Sequence, residues 1–436
     1  MIERIGLVCA AASLVQPLAM GNVVAAPISL TERAPRMPDY ESDFIERPCQ
    51  SAPGTIRLPY RRYRGTGTAR GTCFFLGGGP GMSNLSFRPP EAWLDLMDVV
   101  VLEYRGVGKS APVLRSPHFT KAVLKPVKRL SLAGSAAVAD DLVRGFADLR
   151  SQGVVFDDFG LTSMADDLEA LRQQLGLGPV LLVAHSFGTR VAQVMQTRHR
   201  ASVQGSLLLG SNTAPGLIWF PDEIQAVWRR WLSTQEAENT IGAEVAARLL
   251  DGWTRRGRWS ASDSRALVTA FFIAFSGQSA RQRVLRTMLA AQRGPSAAWW
   301  LMARLYSPVM RMIFSWPAFF VTGYVVDGDP TAVARADTQG GAAMFQSPSS
   351  LLFSGLDGFF EAGGRREEVA AIDYANTLLV SGEFDTSTPI ERWPAEVPER
   401  HKVVLPGVGH TDSLAAARDT GASWLRHLME LPPVAG

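Results

Sequence analysis

Six short apolar runs recur along the chain: Thr72–Leu76 (TCFFL), Asp98–Glu103 (DVVVLE), Val180–Ala184 (VLLVA), Ser206–Leu209 (SLLL), Asn376–Val380 (NTLLV) and Lys402–Leu405 (KVVL). None alternates apolar with polar. A strand of that kind must be covered on both faces, and helical patterns between the runs can supply the cover. One such pattern is Ser163–Leu175 (SMADDLEALRQQL), where Ser163 is placed to cap the start and Gly176 to end the helix. The expected class is α/β, a mostly parallel sheet with helices on both faces.

Residues 213–370 break this alternation. The stretch is mostly helical in pattern and holds Trp228, Trp231, Trp253, Trp259, Trp299, Trp300 and Trp316. It reads as a helical cap inserted between two sheet strands, with its aromatics either its own core or a ligand wall. The core would then comprise residues 26–212 and 371–436. Hydrophobic residues are 46% of the 436 and charged residues 19%, enough apolar material to exclude a disordered chain. The net charge of +3 and the lack of a basic, aromatic-interleaved stretch argue against a nucleic-acid partner.

The first 25 residues read as a secretory signal peptide, with an apolar Ile5–Met20 stretch and small residues at Val23 and Ala25. The expected location is therefore secreted or periplasmic. No stable membrane insertion is expected once the leader is removed. The uncharged Met312–Val326 segment is too short to span a bilayer and is interrupted by Pro317 and Gly323. Beyond the leader lie Cys49 and Cys73, which could pair in an oxidising compartment or stay as free thiols. A pair would close a loop of about 24 residues, worth about 3 kcal/mol. The sequence is silent on the oligomeric state.

The sharpest local signal is Val180-Leu-Leu-Val-Ala-His-Ser-Phe-Gly-Thr189. A buried strand runs through small-x-Ser-x-Gly into a helix, which places Ser186 on a tight strand-to-helix turn at a helix N-terminus. A serine nucleophile needs a base, and the base needs an orienting acid. In sheets of this kind the partners follow in the order Ser, Asp or Glu, His. Asp385 follows the Leu378 run in Gly382-Glu-Phe-Asp385, and His410 follows the Val403 run in Pro406-Gly-Val-Gly-His410. All three fall at the carboxyl ends of strands, where such sheets build their sites. His185 is expected to point away from the nucleophile, and His118, His199, His401 and His427 to lie on the surface.

Leu76-Gly-Gly-Gly-Pro-Gly81 follows the first apolar run. Its glycines let backbone approach a substrate carbonyl, so an N–H of Gly78 or Gly79 could join that of Phe187 in an oxyanion hole. A phosphate loop is disfavoured, because no Gly-Lys-Ser/Thr follows and the spacing is not GxGxxG.

Together these residues resemble the α/β-hydrolase fold, and within it the proline iminopeptidase and secreted tripeptidyl aminopeptidase branch. Gly77-Gly-Gly-Pro-Gly81 is similar to the branch's His-Gly-Gly-Pro-Gly loop. Glu103-Tyr-Arg-Gly-Val-Gly-Lys-Ser110 is similar to its Asp-x-Arg-Gly-x-Gly-x-Ser, and Ser186-Phe-Gly-Thr189 to its Ser-Tyr-Gly-Thr. Asp167 to Gly176 and Gly382 to Asp385 also look like that branch. The likeness spans about residues 55–212 and 375–415 and leaves the cap uncovered. Three positions depart from it: Gly77 replaces histidine, Ala184 replaces glycine, and Glu103 replaces aspartate. Glu103 and Arg105 are expected to form an ion pair beneath the site.

The resemblance implies cleavage of peptides from a free amino end, with no metal or organic cofactor. In that branch cap carboxylates hold the substrate ammonium. Glu223 is the candidate here, with Trp219 walling a pocket; the alternative is a solvated helix face. A carboxylesterase or acyl hydrolase on the same triad is the second reading, with a small ester as substrate and the tryptophan-rich cap as acyl pocket. Epoxide hydrolases and dehalogenases carry aspartate where Ser186 stands. A catalytically dead hydrolase fold serving as a binding module is the third reading, and the complete Ser–Asp–His set argues against it.

Overall fold

The computed structural model describes residues 38–66, 71–124, 132–212, 221–234, 294–327 and 374–431, together with Ile372 and scattered positions between 262 and 291. The leader, Trp219, Trp253 and Trp259 lie outside the described residues.

Among the described residues the sheet has eight strands in the order β1-β2-β4-β3-β5-β6-β7-β8. The six expected runs become β3 (Thr72–Leu76), β4 (Asp98–Leu102), β5 (Val180–His185), β6 (Val203–Leu209), β7 (Thr377–Gly382) and β8 (Lys402–Leu405), all mutually parallel. Two further strands, β1 (Tyr40–Pro48) and β2 (Thr55–Tyr63), form an antiparallel hairpin, and β2 adds antiparallel to β4. Their sequences, YESDFIERP and TIRLPYRRY, are charged because β1 is the sheet edge and β2 buries alternate residues only.

The continuity of the apolar runs has a direct cause. Successive strand side chains face opposite sides, and each side meets its own core. Phe74, Leu76, Val100, Leu182 and Ala184 enter one core, while Cys73, Phe75, Val99, Val101, Leu181 and Val183 enter the other. Helices α1 (Glu91–Leu94) and α9 (His410–Glu430) cover the second core, through Trp93, Leu414, Ala417 and Leu425. The first is covered by α2 (Pro117–Val123), α3 (Leu132–Ser151), α4 (Leu161–Gln174) and α5 (Gly188–Arg198). Fully burying each such side chain stabilises the fold by about 1.5–3 kcal/mol.

Helix α4 starts two residues before the expected cap. Gly160 is its N-cap and Ser163 lies inside the helix, whereas Gly176, at φ +63°, does close the C-terminus. Cys49 and Cys73 are both free thiols: Cys73 is buried in β3, and Cys49 donates to the Ser51 carbonyl at 3.3 Å.

Between β6 and β7 the described segments include the helices α6 (Pro221–Leu232), α7 (Ala297–Ile313) and α8 (Trp316–Asp327). Trp228, Trp231, Trp299 and Trp316 are buried, while Trp300 is exposed. Helix α8 joins the first core, where Phe320 stacks on Phe119 of α2 at 5.3 Å between centroids. No helix among the described residues is long and apolar enough to cross a membrane.

Candidate active site

Strand β5 delivers Ser186 to a backbone φ of +54°, the left-handed region that a serine occupies only under constraint. The constraint is visible on both sides of the turn. Ser186 N–H donates to the Leu209 carbonyl at 2.9 Å, and α5 begins immediately at Gly188. A Cβ on Gly188 would lie 2.2 Å from the Leu76 carbonyl oxygen, so only glycine lets the helix leave so close to β3. Ala184 is fully buried in β5, where alanine fits the position usually held by glycine.

The three residues expected from their order meet in space. His410 Nε2 lies 2.9 Å from Ser186 Oγ, and His410 Nδ1 lies 2.8 Å from Asp385 Oδ2. His410 is the first residue of α9 rather than a loop residue. Asp385 is fully buried and accepts from the N–H groups of Ser387 and Thr388, both at 2.8 Å, and from the Thr388 hydroxyl at 2.7 Å. Ser381 Oγ donates to it at 3.1 Å. Burial disfavours the charge on Asp385, but the His410 imidazole and these donors outweigh it and hold the carboxyl far below the usual range. The array is a hydroxyl, an imidazole and a fixed carboxylate in series, able to move a proton from Oγ to Nε2 as Oγ attacks a carbonyl.

The glycine loop packs against Ser186. A Cβ on Gly78 would lie 2.6 Å from Ser186 Cβ and 3.0 Å from His185 Nδ1. Among the described residues, the N–H groups of Gly78, Gly79 and Phe187 enter no backbone hydrogen bond outside the regular elements. The link between α7 and α8 packs on the same loop. Ser315 N–H donates to the Gly81 carbonyl at 2.7 Å, and a Cβ on Gly79 would lie 2.5 Å from the Phe314 ring. Asn84 fills the space beside Gly77: a Cβ at position 77 would lie 2.3 Å from Asn84 Oδ1, which accepts the Gly77 N–H.

A model of the α/β hydrolase fold family matches residues 74–416. The chain belongs to the α/β-hydrolase fold family. No curated protein sequence matches it. Solved structures similar to it include a thermophilic esterase from Thermogutta terrifontis, at 17% identity and a TM-score of 0.41, covering 88% of this chain and 99% of that one. Others are a haloalkane dehalogenase from Bradyrhizobium elkani, at 15%, 0.37, 89% and 99%, and a putative epoxide hydrolase from Pseudomonas aeruginosa, at 14%, 0.36, 91% and 99%.

Four expectations for this α/β hydrolase need correction. Arg105 does not pair with Glu103. Its guanidinium makes a two-pronged contact with Asp167 of α4, at 2.6 and 2.7 Å, because Arg105, in the loop after β4, turns its side chain toward α4. Glu103 instead turns toward the glycine loop, where it accepts from Ser83 Oγ at 2.5 Å and Asn84 N–H at 2.8 Å. His185 does not point away: its ring is 4.9 Å from that of His410, and its Nε2 lies 3.2 Å from the His410 carbonyl. His401 is buried rather than on the surface, with Nδ1 3.0 Å from the Thr377 carbonyl. Glu223 is already occupied, since Arg392 Nε donates to its Oε2 at 2.6 Å.

Sequence reasoning passed over Thr388, Asn84 and Tyr104. Thr388 was accessible in principle, because an aspartate followed by Ser or Thr two and three residues on forms a local turn around its own carboxylate. Asn84 and Tyr104 carry no such signal; only tertiary contact reveals them.

The two buried groups titrate in opposite senses. Burial pushes the Glu103 carboxyl up to about 7, its donors offsetting only part of the effect. The stability it contributes is therefore complete below pH 4.5 and is lost as pH rises through about 7. Burial, then the His410 charge, lowers the His185 imidazole to about 3, so its contribution is complete above pH 6.5 and is lost as pH falls through about 3. The two slopes oppose each other where the windows overlap, from pH 4.5 to 6.5, and from pH 6.5 to about 7 only that of Glu103 persists. Glu103→Gln should therefore gain on wild type by about 3 kcal/mol in unfolding free energy between pH 4 and pH 8. Urea titrations at pH 4, 6 and 8 would measure this, and parallel curves for the two proteins would refute it.

Proposed function

We propose that this α/β hydrolase is a serine hydrolase that cleaves acyl bonds through an acyl-enzyme on Ser186. The observation that carries the reading is the unbroken chain Ser186 Oγ–His410 Nε2, His410 Nδ1–Asp385 Oδ2, at 2.9 and 2.8 Å, on a strained elbow. Ser186 Oγ attacks the carbonyl while His410 takes its proton. Asp385 accepts the Nδ1–H, fixes the tautomer and stabilises the imidazolium. The developing oxyanion sits by the N–H groups of Phe187 and of Gly78 or Gly79. His410 then returns the proton to the leaving group, and water, activated by the same imidazole, releases the acyl group.

For the substrate, the glycine loop, the Glu103–Ser110 segment and the acid loop favour a peptide with a free amino end, of the proline iminopeptidase or tripeptidyl aminopeptidase type. One observation favours a carboxylic ester instead. The Arg392 guanidinium neutralises Glu223, the candidate ammonium ligand, while Phe314 and Phe319 pack by the glycine loop. The chain would act outside the cytoplasm if its first 25 residues serve as a leader.

A panel on the mature chain tests both readings: prolyl, alanyl and tripeptidyl arylamides, their N-acetyl forms, and short and medium nitrophenyl esters, with Ser186→Ala as the blank. Cleavage of free-amino arylamides that is lost on acetylation is the expected outcome for an aminopeptidase. Ester cleavage alone supports the acyl hydrolase. No turnover of any member, with no labelling of Ser186 by a fluorophosphonate, refutes the proposal.

A further inference from the structure

We propose that Tyr104 is a positioning residue that holds both halves of the oxyanion hole, an inference that rests on the serine-hydrolase reading above. Tyr104 follows β4, is 4% exposed, and touches the two segments that carry the donors. Its hydroxyl donates to the Gly77 carbonyl at 3.2 Å. Its ring meets the Phe187 ring edge to face, at 5.9 Å between centroids and 89° between planes.

The hydrogen bond matters because of peptide geometry. In a trans peptide the carbonyl of one residue and the N–H of the next point in opposite directions. Holding the Gly77 oxygen toward Tyr104 therefore turns the Gly78 N–H away from Tyr104. Gly78 is the loop residue against the nucleophile, since a Cβ on it would lie 2.6 Å from Ser186 Cβ.

The preceding peptide plane is clamped as well. The Gly77 N–H donates to Asn84 Oδ1 at 3.0 Å, and Asn84 Nδ2 donates to the Leu102 carbonyl at 2.9 Å. The Asn84 backbone is in turn fastened to Glu103. Residue 77 is thus gripped at its N–H and at its carbonyl, and glycine there has no side chain to resist either partner. Burial pushes the Tyr104 phenol up, so it stays a neutral donor throughout the working range. A rotated Gly77–Gly78 peptide would remove one oxyanion donor while leaving the triad intact.

Tyr104→Phe removes the hydroxyl and keeps the ring against Phe187. With 4-nitrophenyl butyrate, kcat should fall about ten- to a hundredfold while KM stays within about threefold, because the oxygen is bound most strongly in the transition state. The inhibition constant of butylboronic acid, whose tetrahedral adduct places an oxygen in the hole, should rise by the same factor as kcat falls. If the phenylalanine variant does not fold, Tyr104→Met fills the space without a hydroxyl and should give the same pattern.

Unchanged kcat in the folded variant, a change in KM alone, or a loss of kcat without weaker boronate binding would overturn the role of Tyr104 and leave the serine-hydrolase reading standing. A wild-type chain with no turnover of esters or amides and no labelling at Ser186 would overturn both.

Discussion

Ser186→Ala and His410→Ala should each lower kcat on an acyl substrate by about 10⁶-fold, and the double variant should lose no more than either single. The reason lies in the series arrangement. Oγ is 2.9 Å from Nε2, and neither group has a use in proton transfer without the other. Asp385→Asn should cost less, about 10⁴-fold, because it leaves the serine and imidazole in place but offers the imidazole the wrong tautomer. Single-turnover and steady-state rates on a nitrophenyl ester would measure all four proteins. Additive losses in the double variant would show that Ser186 and His410 do not act as one unit.

The second large effect concerns stability. Asp167→Ala should destabilise the chain by about 3–5 kcal/mol, since it strands a buried guanidinium. Arg105 and Asp167 side chains are 4% and 2% exposed, and Arg47 Nε also reaches Asp167, at 3.1 Å. The pair ties the end of β4 to α4 and, through Arg47, to β1. Urea unfolding at pH 7 would report the loss as a lower midpoint at unchanged slope. A shift below about 1 kcal/mol would mean that solvent or another carboxylate compensates Arg105. The same experiment separates the two possible partners. Had Arg105 been paired with Glu103, as expected from the sequence resemblance, Glu103→Gln would strand the guanidinium; with Asp167 as the partner, Glu103→Gln leaves that pair whole.

The glycine loop illustrates how a departure from a family pattern becomes intelligible only in three dimensions. Gly77 stands where the aminopeptidase branch that the sequence resembles has histidine, and nothing local explains it. Asn84, seven residues on, occupies the space a side chain would need and uses it to hold the loop's own N–H. Glu223 shows the converse. It reads from sequence as a free cap carboxylate, but Arg392, on the loop after β7, already neutralises it. Arg230 of α6 reaches the same loop, donating to the Glu383 carbonyl at 2.8 Å, so α6 and this loop are joined on both sides of Asp385, by a hydrogen bond to the main chain before it and an ion pair after it.

The parallel sheet, the placing of Ser186, Asp385 and His410 after successive strands, and the tight turn at Ser186 were legible in the sequence because each rests on local rules. Continuous apolar runs require two covered faces, a small-x-Ser-x-Gly turn requires small neighbours, and strand ends collect the chemistry. The charged hairpin β1–β2 was not legible, because an edge strand with one wet face carries no apolar run. Which carboxylate holds Arg105, where His185 lies, what occupies Glu223 and what grips the Gly77 carbonyl were decided by the tertiary structure alone. Each depends on partners tens to hundreds of residues apart, from Tyr104 with Gly77 to His185 with His410. In such cases residue type allows several partners, and only packing selects one.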